Sequence, residues 1–223
     1  MNRSLTATLR AILSAAVLMT GTPAQSQQTF DLTSIGQDAR WKISNRTATT
    51  VDVKGKRAVR LSEGLGMGVV WLDGYDFKNG VIELDILGRS QPVQGSFVGV
   101  VFHAADAVTY EAVYFRPFNF QAADPERRAH AVQYVSHPKW TWQTLRADHL
   151  GVYESAVAPA INGDEWFHAR IVVERPKISV FVNGSAQPCL VVTELGDRSG
   201  GSLGLWVGEG SGGTFANLRV HAQ

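Results

Sequence analysis

Residues 166–184, WFHARIVVERPKISVFVNG, decide the fold. Two runs rich in Val, Ile and Phe, Trp166–Glu174 and Ile178–Val182, alternate apolar and polar side chains at the period of two that a half-buried strand requires. Arg175-Pro176-Lys177 interrupts them, and Asn183-Gly184 is the dipeptide that most readily accepts positive φ at a tight turn. The unit reads as a hairpin, and the same grammar extends in both directions. Val51–Val53, Ala58–Leu61, Gly68–Leu72, Val81–Leu87, Phe97–His103, Thr109–Phe115 and Ala131–Ser136 precede it; Leu190–Thr193, Leu203–Gly208 and Thr214–His221 follow. Scarcely any stretch after Gln27 carries a 3.6-residue apolar rhythm. A dozen strands without intervening helices predict an all-β, two-sheet antiparallel β-sandwich of the concanavalin-like jelly-roll type, because each sheet must bury one face against another.

Composition narrows the function classes. The 223 residues carry 21 basic and 20 acidic side chains, which provides no electrostatic footprint for nucleic acid or an anionic membrane. A single cysteine excludes an intrachain disulfide framework and any zinc site built on several thiolates. Residues 1–26 read as a cleaved secretory signal: Arg3 and Arg10, the short apolar run Ala11–Thr20, Pro23, and the small-x-small triplet Ala24-Gln25-Ser26. The run is too short to span a bilayer. The expectation is an exported protein, periplasmic or extracellular, with residues 27–223 forming one sandwich domain. Oligomeric state leaves no mark in the sequence.

Chemistry-bearing residues concentrate between positions 103 and 143. With side chains alternating along strands, His103, Tyr114, Arg116, His130 and Tyr134 are expected to gather on a concave, solvent-facing side, with Glu111, Asn119, Gln133 and His137 nearby. Trp140 and Trp142 lie in a long polar connection and suit stacking on sugar rings. Trp166 and Trp206, set in hydrophobic strands, are assigned to the core. His149, His168 and His221 show no clustering. No cofactor is predicted; a divalent metal held by His103, His130 and His137 with Glu111 is the lesser alternative, since no short ligand motif binds those residues together.

Several motifs carry a family resemblance. Gly80-Val81-Ile82-Glu83-Leu84-Asp85, Phe97-Val98-Gly99-Val100-Val101-Phe102-His103, the Trp166–Gly184 hairpin, Gly204-Leu205-Trp206-Val207-Gly208 and Phe215-Ala216-Asn217-Leu218-Arg219-Val220 resemble strands of the concanavalin A-like/laminin-G-like sandwiches. Within that superfamily the chain is most similar to the 3-keto-disaccharide hydrolase domains. Glycosidases of the laminarinase type share the fold and carry E-x-D-x-x-E; here Glu83 and Asp85 are followed by Gly88 where the acid should stand, so a double-displacement pair is missing. Ala216 replaces an aspartate that many relatives tie to calcium, so a lectin-type calcium site is not expected.

The resemblance implies a protein acting on an oligosaccharide or glycoside by proton abstraction beside a ketone and elimination of the leaving sugar. His103 or His130 would be the base and Tyr114 or Tyr134 the acid, with Arg116, Asn119 or Gln133 stabilising the enolate oxygen. Alternatives are a non-catalytic glycan-binding module in the same cleft, a polyuronate lyase, and a protein-interaction sandwich.

Overall fold

The structure, a computed structural model, describes residues 27–223; the segment read as an export signal lies outside them. In chain order the strands are β1 (Gln27–Phe30), β2 (Trp41–Ser44), β3 (Ala48–Val53), β4 (Lys56–Leu61), β5 (Gly68–Phe77), β6 (Gly80–Leu87), β7 (Val98–Ala104), β8 (Glu111–Phe115), β9 (Val132–Ser136), β10 (Glu154–Ser155), β11 (Phe167–Glu174), β12 (Lys177–Val182), β13 (Leu190–Thr193), β14 (Gly201–Val207) and β15 (Gly213–Ala222). A front sheet of seven strands runs β10-β9-β8-β7-β14-β5-β2. A back sheet of eight runs β13-β12-β11-β6-β15-β4-β3, with β1 added on β15. Neighbouring strands pair antiparallel, as in β11 with β12 and β8 with β9. All twelve runs read from the sequence are strands, and Asn183 and Gly184 take φ of 51° and 70° at the expected turn. Two short helices, α1 (Pro125–Ala129) and α2 (Trp142–Asp148), lie inside connections that the sequence reads as irregular.

The two sheets bury their facing side chains against each other. Phe115 of the front sheet meets Phe167 of the back sheet with ring centroids 4.9 Å apart, and Phe120 packs on Phe167 at 5.2 Å. Burying aromatic area of this kind is the main favourable term holding the layers together. Because Phe115 marks the interior face of β8, Glu111 and Val113 share that face, while Ala112, Tyr114 and Arg116 point outward. On β9, Tyr134 stands opposite Val113 and is interior; Gln133 stands opposite Tyr114 and is outward.

One strand breaks the alternation. Along β7 and β14, Val101 pairs with Gly204 but Ala104 pairs with Ser202, so Phe102 and His103 both stand opposite Leu203. This is a β-bulge, and His103 occupies its left-handed position at φ 47°. The extra residue turns the imidazole inward. The sequence expectation that His103 shares the solvent-facing side is corrected by this bulge, and Glu111 and Tyr134 are likewise interior: all three are 0% exposed.

These residues form a closed ionic cluster. His103 Nδ1 donates to Glu194 Oε1 at 2.9 Å, its Nε2 donates to the Lys78 carbonyl at 2.7 Å, and Glu111 Oε1 lies 3.6 Å from Nδ1. With both ring nitrogens donating, the ring is an imidazolium. Burial disfavours that charge, but the Glu111 and Glu194 carboxylates outweigh it and raise the His103 pKa to about 9. Tyr134 Oη donates to Glu111 Oε2 at 2.7 Å, and desolvation holds that phenol far above its ordinary value. Arg175 Nε donates to Glu194 Oε2, and Arg198 Nε donates to the His103 carbonyl. The cluster pins the chain after β13 to β7, β8 and β9.

A second network lies on the outer face of the back sheet. Asp85 accepts from Lys56 Nζ at 2.6 Å, Asn217 Nδ2 at 2.6 Å and His168 Nδ1 at 2.9 Å, and Glu83 accepts from His221 Nε2 at 3.2 Å. His168 and His221 therefore do cluster, around the Glu-x-Asp strand. Together these donors hold the Asp85 carboxyl well below the carboxylate range despite its burial.

Two outcomes follow for stability. His103→Ala removes the imidazolium from between Glu111 and Glu194, and should cost about 3–5 kcal/mol in chemical denaturation, the range for breaking a buried ion pair. The His103 pKa is raised on folding, so its contribution is complete below about pH 6.5 and fades as pH climbs through about 9. The denaturation midpoint of the wild type should fall across that window. His103→Gln should lose most of the fall, with His168, also raised, accounting for the remainder. An equal slope in the variant would remove the imidazolium assignment.

Candidate functional site

The outward face of the front sheet carries the second half of the expected set. Gly99 of β7 makes room for it: a Cβ there would sit 2.1 Å from the Val113 carbonyl and 2.9 Å from Tyr114 Cβ. The Tyr114 ring lies beside Trp206, with centroids 5.0 Å apart. Segment 137–154, containing α2, folds over this face. Thr141 caps α2 by accepting from the Thr144 amide, and Trp142 begins the helix, 40% exposed, with the Arg146 guanidinium 5.0 Å from its ring.

The polar centre is built on Arg116, which is 5% exposed. Its Nη1 donates to the His130 carbonyl at 2.7 Å; its Nη2 donates to Tyr114 Oη at 2.8 Å and to Gln133 Oε1 at 3.1 Å. Burial lowers the Arg116 pKa from its ordinary value, which is too high for this to discharge it. Glu154 of β10, 4% exposed, lies 3.7 Å from Arg116 Nη1 and accepts two bonds from Arg146, from Nε at 3.0 Å and Nη2 at 2.7 Å. His130 caps the C-terminus of α1, and its Nδ1 lies 2.9 Å from Glu154 Oε2, off the line of a hydrogen bond. Burial raises the Tyr114 pKa to about 12, so its phenol is protonated and can donate.

Two adjoining cavities open here. An aromatic basin of about 480 Å³ is lined by Tyr110, Tyr114, Trp142, Trp206 and His137, whose ring stacks on Tyr110 at 4.7 Å. A basic basin of about 260 Å³ is lined by Arg116, Arg127, Arg146, His130 and Asn119. Phe97 and Trp142 wall both. Asn119 is 5% exposed, and its Oδ1 has no donor among the described residues. An unpaired buried acceptor costs about 1–3 kcal/mol, which a hydroxyl of a bound molecule would recover. The aromatic walls offer flat apolar surface to a ligand, and the arginines and His130 can meet negative charge and protons.

Of the expected site residues, Tyr114, Arg116, Asn119, His130, His137 and Trp142 line these basins. Gln133 is buried beneath them and orients Arg116. His103, Glu111 and Tyr134 sit on the other side of the sheet. Trp140 is a correction too: it pairs back on Ser136, packs edge-on to His149 and lines neither basin. Trp206 is buried with the hydrophobic core, as expected, and also lines the aromatic basin. The sequence reading missed Glu154, Arg146 and Arg127; Tyr110 was within reach, because it shares its strand face with Tyr114 and Arg116.

The expected metal alternative does not assemble, since His103 faces the interior, His130 faces the basic basin and His137 stacks on Tyr110. Among the described residues one group has metal-ligand geometry, His103 with Glu111 and Glu194. Its donors do not suit calcium: one is an imidazole bonded through both nitrogens, and Arg175 and Arg198 already face the carboxylates.

Solved structures share this architecture. A carbohydrate-binding module, CBM66 from Bacillus subtilis, is 14% identical, with 81% of this chain and 95% of that chain covered and a TM-score of 0.56. Domain 4 of AbnA, an extracellular arabinanase from Geobacillus stearothermophilus solved with arabinotriose, is 17% identical over 89% and 91% of the two chains, with a TM-score of 0.53. The exoplasmic/lumenal domain of VIP36 in its Ca²⁺/Man₃GlcNAc-bound form is 12% identical over 82% and 84%, with a TM-score of 0.56. At such identities the likeness is one of fold. A search of curated proteins finds no match. The family model described as the 3-keto-alpha-glucoside-1,2-lyase-like domain matches residues 26–221, nearly the whole described chain, and the protein belongs to that family.

Proposed function

We propose that the protein binds an oxidised glycoside across the two basins and cleaves it by elimination. The observation that carries this reading is His130: a half-enclosed imidazole in the basic basin, with the buried Glu154 carboxylate at one nitrogen and three arginines around it. A ketone at C3 of a sugar acidifies the C2 proton. His130 takes that proton through Nε2 while Glu154 balances the resulting imidazolium. The C2–H electrons form the C1=C2 bond as the C1–O bond breaks. The departing oxygen takes the Tyr114 phenolic proton, and the positive charges of Arg116, Arg127 and Arg146 stabilise the charge that develops on the ketone oxygen. Asn119 Oδ1 accepts from a ring hydroxyl, and Trp142 and Phe97 present apolar surface to the sugar faces. The family description and the carbohydrate ligands of the similar folds agree with a saccharide in this trough.

A non-catalytic glycan-binding role is the second reading, favoured by the aromatic basin. It is the larger of the two, and burial lowers the pKa of its one imidazole, His137.

Methyl 3-keto-α-glucoside separates the two readings. Elimination predicts that the wild type releases methanol and the unsaturated ketose, and that His130→Gln lowers kcat by about 10²–10⁴-fold with the melting temperature held within a few degrees. The binding reading predicts an affinity for the compound with no product at all. Under either reading Trp142→Ala should weaken binding roughly 10-fold, in line with about 1.4 kcal/mol for an aromatic contact. Undiminished turnover in His130→Gln would remove it as the base.

A further inference from the structure

The two halves of the trough differ in chemistry. The aromatic basin is walled by Tyr110, Tyr114, Trp142 and Trp206, and Met67 and Val108 add aliphatic surface that the basic basin lacks. Val108 and Trp142 are among the large apolar side chains that the fold leaves exposed. The rings already pack on one another here. Tyr114 lies beside Trp206 with planes 37° apart, and His137 stacks on Tyr110 with planes 12° apart. A flat aromatic guest would meet faces and edges of the kind these rings present to each other.

Much of the polar chemistry around these rings is engaged. Thr141 Oγ1 accepts from the Thr144 amide at the start of α2, the Glu209 carboxylate accepts from the Gly66 amide at 2.7 Å, and Tyr114 Oη accepts from Arg116. Among the described residues no lysine or arginine lines this basin, whereas three arginines line the other. An anionic group here would face Glu209 with no cation to answer it. A sugar unit would turn several of its hydroxyls toward ring and aliphatic carbon and leave them without partners.

Tyr114 orients the ligand between the halves. It lines the aromatic basin, and its Oη is bonded at 2.8 Å to Arg116, which lines the basic basin. The phenol that gives its proton to the departing oxygen in the proposed elimination therefore stands at the seam. With the keto sugar between His130 and the arginines, the group carried on the C1 oxygen lies on the aromatic side.

We infer that the aromatic basin is a leaving-group subsite for an aryl ring, so that the preferred substrates are 3-keto glycosides of phenols. As the C1–O bond breaks, its electron pair stays on the oxygen, which takes the Tyr114 proton and departs as a neutral phenol. The inference rests on the elimination reading given above.

The test measures dissociation constants in the full-chain His130→Gln protein, so that cleavage does not deplete the probes. These are methyl, cyclohexyl and phenyl 3-keto-α-glucoside, with 3-ketotrehalose as the probe whose leaving group is itself a sugar. The phenyl glycoside should bind about 10-fold more tightly than the methyl glycoside, and at least about 3-fold more tightly than the other two. Val108 is exposed and lines the aromatic basin but not the basic one. Val108→Asp should cut the phenyl advantage over methyl to under about 3-fold and leave the methyl constant within about 2-fold, while Val108→Leu keeps the advantage. If the methyl glycoside itself fails to bind, the keto-glycoside reading of the trough falls and this inference with it. If it binds and the phenyl glycoside is no tighter, or cyclohexyl or 3-ketotrehalose matches phenyl, or the advantage survives Val108→Asp, the aryl subsite alone is overturned.

Discussion

A guanidinium laid on the face of a β-sheet must find acceptors in every direction it points, because the strands beneath it have already spent their carbonyls on the ladder. Arg116 meets that demand with the Tyr114 hydroxyl, the Gln133 amide and the His130 carbonyl, and Glu154 answers its charge. Each partner brings an element with it. Gln133 comes from β9, His130 from the end of α1, and Glu154 from the two-residue β10 that adds to the sheet edge. Glu154 then recruits Arg146 and fixes α2, which carries Trp142 to the rim. The trough is a consequence of satisfying one buried cation.

The front sheet thus holds two histidine–carboxylate arrangements, one on each face, and their surroundings assign them different work. His103 is walled by Phe77 and Phe102, bonded through both nitrogens and charged up to about pH 9. A ring with no free nitrogen and no path to solvent cannot take a proton from a ligand. His130 has one nitrogen at a carboxylate, and its ring borders an open basin. Access, rather than the identity of the neighbours, separates the structural ring from the candidate base.

The strands were legible because alternation and turn residues are local signals, and each of the twelve runs carries them without help from distant sequence. Which face each side chain takes followed for β8, where Tyr114 and Arg116 emerge outward together; on β9 the alternation was legible but its phase relative to β8 was not, so Gln133 rather than Tyr134 joins them. It failed at His103, because a bulge is set by the mismatch between two strands a hundred residues apart and neither one shows it alone. Glu154, Arg146 and Glu194 were silent for a related reason. They sit in connections with no periodicity, and only the folded chain brings them to His130 and His103. Trp140 and Trp142 differ by two positions in one loop; the cap at Thr141 turns one toward Ser136 and starts the other along a helix facing the trough.

The same geometry explains why this sandwich is poorly placed to hydrolyse by paired carboxylates. Its Glu-x-Asp strand, β6, lies in the back sheet, and both acids there are engaged by Lys56, His168, His221 and Asn217. In the trough the one deeply buried carboxylate, Glu154, is held by Arg146 and cannot serve as a free nucleophile. A retaining mechanism needs two carboxyl groups about 5–5.5 Å apart across the bond, and the basic basin presents none to a ligand. It presents an imidazole and a set of fixed cations, with the protonated Tyr114 phenol in the adjoining aromatic basin. Under the elimination proposed above, those groups would serve a substrate whose own ketone supplies the acidity, taking its proton and holding the enolate.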